Sequence, residues 1–418
     1  MLVFKFGGAS VKDAAGIINL GSVVKGYEGQ QILIVVSAMG KTTNALEKLT
    51  KAYVDRADDI YPIFEEIKQY HYDILNDLFD STDKVFDEVE NTFVEIDWII
   101  EDEPHDEYDF IYDQVVSIGE LVSTRIVNAY LNKAGIKSQW IDVRGYIHTD
   151  NTYREGVVQW DKTRASISRG IPPLLAKGLV VTQGFLGGTS ENFTTTLGRE
   201  GSDYTASIFA SCLGAESVTT WKDVPGILNA DPKYFEDTIK FDELSYSEAI
   251  EMTYYGASVI HPKTIKPLQN AKIPLLVKSF TDPGAAGTVI KADAVDHFEK
   301  PVIILKQNQV LLSISPKDYS FVSEDHLSEL FGMFAQNQVK VNMMQTSALS
   351  FTVCFDLFDE RFKKLLRGLS EGFKVKYNSG LSLITVRHYS WGSLNALKEG
   401  KNILLEQVSR NTVQLVVK

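Results

Sequence analysis

Short apolar, β-branched runs alternate along the first two thirds of the chain with longer stretches whose apolar residues recur at helical spacing. The runs are Leu2–Phe6, Ile32–Val36, Ser138–Asp142, Leu179–Thr182, Ser217–Trp221 and Pro274–Val277. This alternation predicts an α/β fold with a mostly parallel sheet and helices on both faces. The loops that follow the strands are then the expected ligand site.

Residues 51–113 interrupt the alternation. They are rich in acidic and aromatic residues, and the aromatic and aliphatic ones have helical spacing. We therefore predict an inserted helical segment whose acidic face is solvated, because runs of charge are usually surface. The helix that follows is predicted at Glu120–Asn132.

The order of predicted strands and helices changes after a polar stretch at residues 291–300, which we interpret as a linker. The predicted strands and helices beyond it are Val302–Leu305, Gln309–Ile314, Asp325–Asn337 (helix), Val339–Gln345, Ser350–Phe355, Glu360–Ser370 (helix), Leu381–Val386, Ser393–Lys398 (helix), Ile403–Val408 and Thr412–Val417. This order predicts two small α+β modules that share one sheet. The second module is shortened and is expected to lack its last helix.

Composition narrows the functional classes. A chain of 418 residues is expected to form two or more domains. Its net charge of −13 argues against nucleic acid and against an anionic membrane surface as partners. The two cysteines stand alone in the sequence, so no disulfide framework or zinc site is predicted. Without an apolar signal core or a long apolar run, a cytoplasmic location is expected.

The first candidate motif is KFGGAS, residues 5–10. Lys5 lies in an apolar strand, where an unpaired ammonium is costly, and the strand ends in Gly7-Gly8 before a helix. Glycines let backbone N–H groups approach an anion, and a helix N-terminus favours negative charge. The motif therefore suggests a phosphate cradle, or else an edge-strand lysine followed by an ordinary turn.

Two further motifs supply polar groups. In SAMGKTTN, residues 37–44, GKT is not the end of a Walker loop, because the first glycine of that motif would fall at Val35. Ser37 and Thr43 are candidates to face the site, although Thr43 is equally suited to cap a helix. Glu120, in GELVSTR, is a candidate acid or simply a residue favoured by the dipole at a helix start.

The fourth motif, TTTLGREGSD at residues 194–203, combines small and hydroxyl residues with one arginine. Arg199 can hold a carboxylate through two parallel hydrogen bonds. Ser202 and Asp203 belong to the same candidate site, or else cap the helix that follows. The fifth motif, TWKDVPG at residues 220–226, together with Lys233, suits a nucleotide, although its lysines are also typical of a surface.

Taken in this order, the motifs resemble those of the aspartate kinases, in the amino-acid kinase superfamily. The matching segments are KFGGAS, SAMGKTTN, GELVSTR, TQGF, TTLGREGSD, WKDVPGILNADP, GASVIHPKT and KSFTDPGAAGT. The resemblance implies an αβα catalytic domain at 1–295 with the 51–113 insert. It also implies a regulatory region at 301–418 of tandem ferredoxin-like modules, which are similar to ACT modules that bind amino acids.

The resemblance implies transfer of the γ-phosphate of ATP, carried with Mg²⁺, to the side-chain carboxylate of L-aspartate. This reaction, which gives 4-phospho-L-aspartate, is the first step of lysine, threonine and methionine biosynthesis. By resemblance the catalytic residues are Lys5 and Asp203. The implied aspartate ligands are Ser37, Thr43, Glu120, Arg199 and Ser202. The implied nucleotide ligands are Lys5, Gly7, Gly8, Ser10, Thr220, Lys222, Asp223, Lys233 and Ser258.

The resemblance also implies an amino-acid effector and a homodimer formed through the ACT modules. The matching effector positions are Asn342, Gln345, Thr346 and Ser347. Four positions depart from the family pattern: Ala9, Glu200, Leu228 and Ser258. Glu200 replaces a glycine and is expected to point away from the anion site. Two alternatives remain, a superfamily member that phosphorylates another carboxylate and a non-catalytic amino-acid sensor.

Overall fold

The computed structural model describes residues 1–257, 260–295 and 298–418. The chain forms two compact units. The first unit comprises Met1–Ile227, Lys240–Ile250 and Val259–Asp296, and the second comprises Leu228–Ile239, Glu251–Ser258 and His297–Lys418.

The strands are β1 (Leu2–Phe6), β2 (Ile32–Val36), β3 (Ser138–Ile141), β4 (Leu179–Gln183), β5 (Leu186–Gly188), β6 (Thr194–Thr196), β7 (Ser217–Lys222), β8 (Glu243–Ser245), β9 (Leu275–Ser279), β10 (Thr288–Lys291), β11 (Val302–Pro316), β12 (Val341–Thr346), β13 (Phe351–Asp356), β14 (Phe373–Arg387), β15 (Ile403–Val408) and β16 (Thr412–Val417). The helices are α1 (Ala14–Lys25), α2 (Thr42–Val54), α3 (Ile60–Leu78), α4 (Val85–Glu101), α5 (Tyr108–Lys133), α6 (Trp160–Gly170), α7 (Pro172–Leu175), α8 (Gly201–Leu213), α9 (Tyr246–Tyr255), α10 (Pro262–Ala271), α11 (Glu324–Gln336), α12 (Asp359–Gly372) and α13 (Trp391–Lys398).

The first unit is built on an eight-stranded sheet in the order β3-β4-β2-β1-β7-β9-β10-β8. Every pairing is parallel except that of β9 with β10. Every residue of β1 and β2 is buried, so side chains on both faces of the sheet centre are covered. The predicted mostly parallel α/β fold is confirmed.

The order of the strands brings the candidate loops together. Strand β1 lies between β2 and β7, and Lys5 is in register with Val35 on one side and Thr220 on the other. Because all three strands run parallel, the segments that follow them leave the sheet at one edge. The KFGGAS, SAMGKTTN and TWKDVPG motifs therefore meet there.

The segment between β2 and β3 is helical, as predicted, but its boundaries differ. Helices α3 and α4 fill the insert, and their inner faces bury Phe64 and Phe93, whose rings lie 5.9 Å apart. Helix α5 begins at Tyr108 and runs without interruption to Lys133. The predicted helix start at Glu120 is wrong, since Glu120 lies in the interior of α5, three turns from its first residue.

The second unit contains a six-stranded antiparallel sheet in the order β12-β13-β11-β14-β16-β15. Helices α11 and α12 contribute Leu330, Phe334 and Leu365 to a core against β11 and β13, and α13 contributes Leu394 to a smaller one. The predicted α+β tail on one shared sheet is confirmed. The two strands predicted on either side of residue 307 are one strand, β11, interrupted by a bulge.

In the three ranges that the structure describes, no helix combines the length and apolarity needed to span a bilayer.

Candidate active site

The centre of the site is a buried ion pair between β1 and α8. Lys5 Nζ lies 3.1 Å from Asp203 Oδ2, and both side chains are buried. Burial would raise the pKa of Asp203, but the charges of Lys5 and Lys222 outweigh it and hold that pKa below its ordinary value. Thr220 Oγ1 donates to the other carboxylate oxygen at 3.4 Å. Lys5 is therefore a central, paired cation and not an edge-strand residue.

Glycine backbones approach closely beside this pair. A Cβ atom on Gly7 would lie 3.6 Å from Lys5 Nζ, and one on Gly8 would lie only 2.6 Å from the carbonyl oxygen of Ala38. Gly40 N–H donates to the Gly8 carbonyl at 3.0 Å, which joins the loop after β1 to the loop after β2. Gly8 is thus required by close packing, and Gly7 leaves the backbone open next to an ammonium.

Glu120 is the second charged group of the site. It is buried within α5, and its Oε1 accepts a hydrogen bond from Ala38 N–H at 3.3 Å. Its Oε2 is shielded from solvent and has no hydrogen-bond partner among the described residues. Burial raises the pKa of Glu120 to about 8, despite the bond from Ala38. A cation placed beside Oε2 would satisfy this carboxylate and lower its pKa.

Arg199 precedes α8 and, unlike the buried charges of the site, is exposed to solvent. Within residues 1–257, 260–295 and 298–418 its side chain forms no hydrogen bond or ion pair. Glu200, the N-cap of α8, has φ of 54°, in the left-handed region that favours glycine. This explains physically why a glycine suits that position. Glu200 Oε2 is also shielded and lacks a hydrogen-bond partner among the described residues. That its side chain points away from the anion site stays a prediction.

The capping alternatives are wrong for three residues. Asp203 and Ser202 lie inside α8, whose N-cap is Glu200, and the Asp203 carboxylate is bonded to Lys5 and Thr220. Thr43 lies inside α2, whose N-cap is Lys41. Buried Ser202 packs against Gly184, where a Cβ atom would approach Ser202 Oγ to 2.5 Å.

The remaining predicted residues fall into three groups. Ser37 follows β2 and Ser10 lies in a short 3₁₀ helix, where Ser10 Oγ donates to the Trp221 carbonyl at 3.4 Å. Lys222 ends β7 and exposed Asp223 follows it. Lys233 belongs to the second unit, where its N–H donates to Asp231 Oδ1, and Ser258 lies outside the described residues.

Two histidines have structural roles, and the sequence analysis assigned neither of them to the site. His71, buried in α3, lies 3.4 Å from Thr42 Oγ1, and its neighbour Tyr70 donates to the Lys12 carbonyl at 2.5 Å. Burial lowers the pKa of His71 to about 4, so it is neutral at physiological pH. The other, His261, is the N-cap of α10, where its Nδ1 accepts from Lys263 N–H at 3.2 Å.

Comparison with known proteins gives the family. The model of the amino acid kinase family matches residues 1–279. Lysine-sensitive aspartokinase 3 of Escherichia coli is 31% identical over 395 residues, covering 92% of this chain and 86% of the relative. The chain belongs to the amino acid kinase family, and within it to the aspartokinases.

Solved structures of the same E. coli enzyme agree over the whole chain. The complex with aspartate and ADP, described as the R-state, has a TM-score of 0.84 at 29% identity, and covers 100% of this chain and 96% of that one. The complex with lysine and aspartate, described as the T-state, has a TM-score of 0.83 with the same identity and coverage. Aspartokinases are kinases, so the Lys5–Asp203 pair lies in a phosphotransferase of this family.

The structure places Asn342, Gln345 and Thr346, three of the four predicted effector residues, on β12, and Ser347 follows that strand. The Asn342 amide accepts from Lys306 Nζ at 2.9 Å and donates to Gln309 Oε1 and to Asp356 Oδ2. Gln345 and Thr346 are exposed on β12, and exposed Ser347 pairs with Ser350. Both polar ends of Asn342 are therefore already engaged.

Proposed function

We propose that the chain transfers the γ-phosphoryl group of ATP to the side-chain carboxylate of L-aspartate, which gives 4-phospho-L-aspartate and ADP. The observation that carries the proposal is Glu120, a buried acid with one unbonded oxygen in a member of the aspartokinases. The α-ammonium of a zwitterionic amino acid would supply the hydrogen-bond partner that this oxygen lacks. Exposed Arg199, unpaired in the described part of the chain, suits a substrate carboxylate.

The residues fit a mechanism without a general base. The acceptor carboxylate is ionised at neutral pH, so its oxygen attacks the γ-phosphorus directly while the bond to the β-phosphate oxygen breaks. No proton is transferred, and ADP leaves with the bonding electrons. Lys5 neutralises charge on the transferred group, and Asp203 fixes the Lys5 ammonium. Gly7 and Gly8 leave room for the phosphates.

Magnesium fits the same arrangement. Carboxylate oxygens and phosphates are the ligands that Mg²⁺ prefers, and Asp203 Oδ1 receives only a long hydrogen bond from Thr220. Asp203, with Asp223 after the next strand, would hold the ion that accompanies ATP, which supplies further charge neutralisation at the phosphate oxygens.

A hydroxamate assay tests the proposal. Purified chain, MgATP and hydroxylamine should yield a hydroxamate with aspartate and not with glutamate. Product with a different acid and none with aspartate would overturn the substrate. Binding of an amino acid without any product, and without nucleotide binding by calorimetry, would support the sensor alternative.

We further propose that an amino acid binds at β12 of the second unit and that the chain is a homodimer through this region. The lysine complex of the E. coli enzyme supports regulation by an amino acid. Strands β12 and β15 are the edges of the sheet, and unpaired edges favour pairing with another chain. An inhibition panel of lysine, threonine and methionine tests the effector. A monomer by light scattering, with or without these amino acids, would refute the dimer.

A further inference from the structure

Helix α5 carries a buried polar face in which Glu120 is only one member. Asp113 lies seven residues before Glu120, so the two acids occupy the same side of the helix two turns apart. Asp113 is fully buried, which is costly for a carboxylate unless hydrogen bonds compensate. Its partners show what it holds.

Asp113 binds the backbone of two separate segments, strand β6 and the turn that contains Arg154. Its Oδ2 accepts from Thr196 N–H at 2.9 Å and from Arg154 N–H at 2.8 Å. Its Oδ1 accepts from Thr196 Oγ1 at 2.7 Å. Although these bonds favour the carboxylate, burial outweighs them and raises the pKa of Asp113 to about 6.

Gln114 holds the other end of the same strand. Its Nε2 donates to the Thr194 carbonyl at 2.9 Å, and its Oε1 accepts from Thr194 N–H at 3.1 Å. Together with the two bonds from Thr196 to Asp113, four hydrogen bonds join α5 to β6. These two neighbouring residues therefore grip both ends of a three-residue strand.

Strand β6 has no large apolar side chain that could anchor it by packing in the core. It reads Thr-Thr-Thr, and all three residues are buried. The hydroxyls of Thr194 and Thr195 bond to Arg144 at 3.1 Å and Thr149 at 2.7 Å. Polar contacts therefore position a strand that ends three residues before Arg199, across a turn at Gly198 with φ of 75°.

We propose that Asp113 and Gln114 are positioning residues that hold β6, and through it Arg199, where the substrate carboxylate binds. This rests on the proposed function. The exposed Arg199 side chain forms no hydrogen bond or ion pair with the described residues, so its placement depends on the backbone that carries it. A misplacement of about 1 Å can cost on the order of a hundredfold in rate.

The same helix thus serves both charged ends of an amino-acid substrate. Glu120 acts directly on the ammonium, and Asp113 and Gln114 act through β6 on the carboxylate. Binding of ATP relies on other segments, so loss of the clamp should affect the two substrates unequally.

The chain offers a matched control on α5. Asn132 clamps the helix to β3 with the same amide geometry, since its Nδ2 donates to the Ser138 carbonyl at 3.1 Å and its Oδ1 accepts from Ser138 N–H at 3.2 Å. Asn132→Ala and Gln114→Ala remove equivalent clamps, but only Gln114→Ala touches the strand that leads to Arg199.

We expect Asp113→Ala and Gln114→Ala to raise KM for aspartate by about tenfold or more, with KM for MgATP changed less than twofold. Asn132→Ala should leave the ratio of the two KM values unchanged even if it lowers Tm. Asp113→Asn should restore a near-normal KM, because its amide can keep all three contacts when the Thr196 hydroxyl reverses. Equal rises in both KM values for Asp113→Ala would overturn the proposal.

Amide hydrogen exchange separates this inference from the proposed function, because it needs no activity. Residues 194–199 should exchange faster in Asp113→Ala than in the wild type, and at the wild-type rate in Asn132→Ala. Unchanged exchange in Asp113→Ala refutes the clamp, whereas faster exchange with an unchanged KM for aspartate refutes its positioning role. A wild-type chain that phosphorylates glutamate instead of aspartate would refute the substrate and leave the exchange test in force.

Discussion

Two sets of polar groups, one in each compact unit, are arranged in opposite ways. In the first, Glu120 has a shielded oxygen without a partner among the described residues, and Arg199 is unpaired in the same set. In the second, the amide of fully buried Gln309 donates to Asp356 Oδ1 at 2.8 Å and accepts from Asn342 at 2.9 Å. The first arrangement is open towards a ligand, and the second is closed on itself.

This difference separates polar groups that bind from those that stabilise. A buried group without a partner lowers stability by about 1–3 kcal/mol, and a substrate ammonium beside Glu120 would offset that loss. A closed network has no such deficit. Removing a charge from the open site should therefore cost activity, while opening the closed network should cost stability.

The largest expected effect is that of Lys5→Ala. It removes a fixed charge donor and should raise the barrier by roughly 3 kcal/mol, which is a hundredfold or more in kcat. It also leaves Asp203 buried without its cation, so Tm should fall. Hydroxamate kinetics and thermal unfolding measure both quantities. Turnover close to that of the wild type would contradict the role given to Lys5.

Glu120→Gln comes next, with an expected rise of ten- to a hundredfold in KM for aspartate, because a desolvated charge-assisted contact is worth about 1.5–3 kcal/mol. Glu95→Gln is the matched control, since burial raises the pKa of that glutamate too, and it lies in α4 outside the site. A variant at Glu120 with normal KM would show that the α-ammonium binds elsewhere.

The raised pKa of Glu120 also predicts in which direction pH changes the stability of the protein and its KM for aspartate. Its folded-state pKa of about 8 lies above the unfolded value of 4.5, so its contribution to stability is present at low pH and is lost as pH rises through 8. Without substrate, Glu120→Gln should therefore raise Tm at pH 8.5. With substrate, wild-type KM for aspartate should fall between pH 6.5 and 8, and the KM of the variant should not. A KM independent of pH in the wild type would contradict this.

Disrupting the hydrogen-bond network of Gln309, Asn342 and Asp356 should have a moderate effect on stability and little effect on activity. Asp356→Ala leaves buried Gln309 without its acceptor and should lower the stability of the second unit by about 1–3 kcal/mol. We expect kcat, without added amino acid, to stay within twofold. Glu371→Ala, at an exposed acid of the same unit, is the control. If Asp356→Ala lowered kcat and left the free energy of unfolding unchanged, the proposed difference between the two sets of polar groups would be wrong.

The smallest effect is expected at Glu200. Glu200→Gly relieves a left-handed backbone conformation and should stabilise the first unit by about 1 kcal/mol. Ser211→Gly, within α8, is the opposite control, because glycine in a helix interior is destabilising. Thermal unfolding of the two variants distinguishes them. A lower Tm for Glu200→Gly would mean that the glutamate side chain contributes more than its backbone costs.

Much of the fold was predictable from the sequence because apolar runs of strand length separated by helical spacing leave few arrangements. Lys5 stood out as a charge in an apolar strand, whereas Glu120 was singled out by its motif and by the family resemblance. The boundaries of α5 were not predictable, since its buried stripe of Asp113, Ser117, Glu120 and Thr124 looks polar in a linear reading. The seven-residue spacing of its two acids is a signal that could have indicated a shared face.

The pairing of Lys5 with Asp203 was implied by the family resemblance alone, because 198 residues separate the two and spacing cannot connect them. It follows from the crossing of the chain that puts β7 and α8 beside β1. The left-handed backbone at Glu200 was likewise hidden, since glutamate carries no sign of that conformation. Local pattern thus indicated which residues are unusual, and long-range topology decided what they contact.

The central place of β1 has a consequence for synthesis of the protein. Leu2 pairs with Ser217, so the sheet cannot close until residues far along the chain have left the ribosome. At 5–20 residues per second this interval is roughly 10–40 s. Throughout it, β1 and β2 present apolar edges without their later neighbours. The nascent chain therefore exposes unpaired apolar strand edges during this interval, which is the condition in which chaperones protect a folding chain.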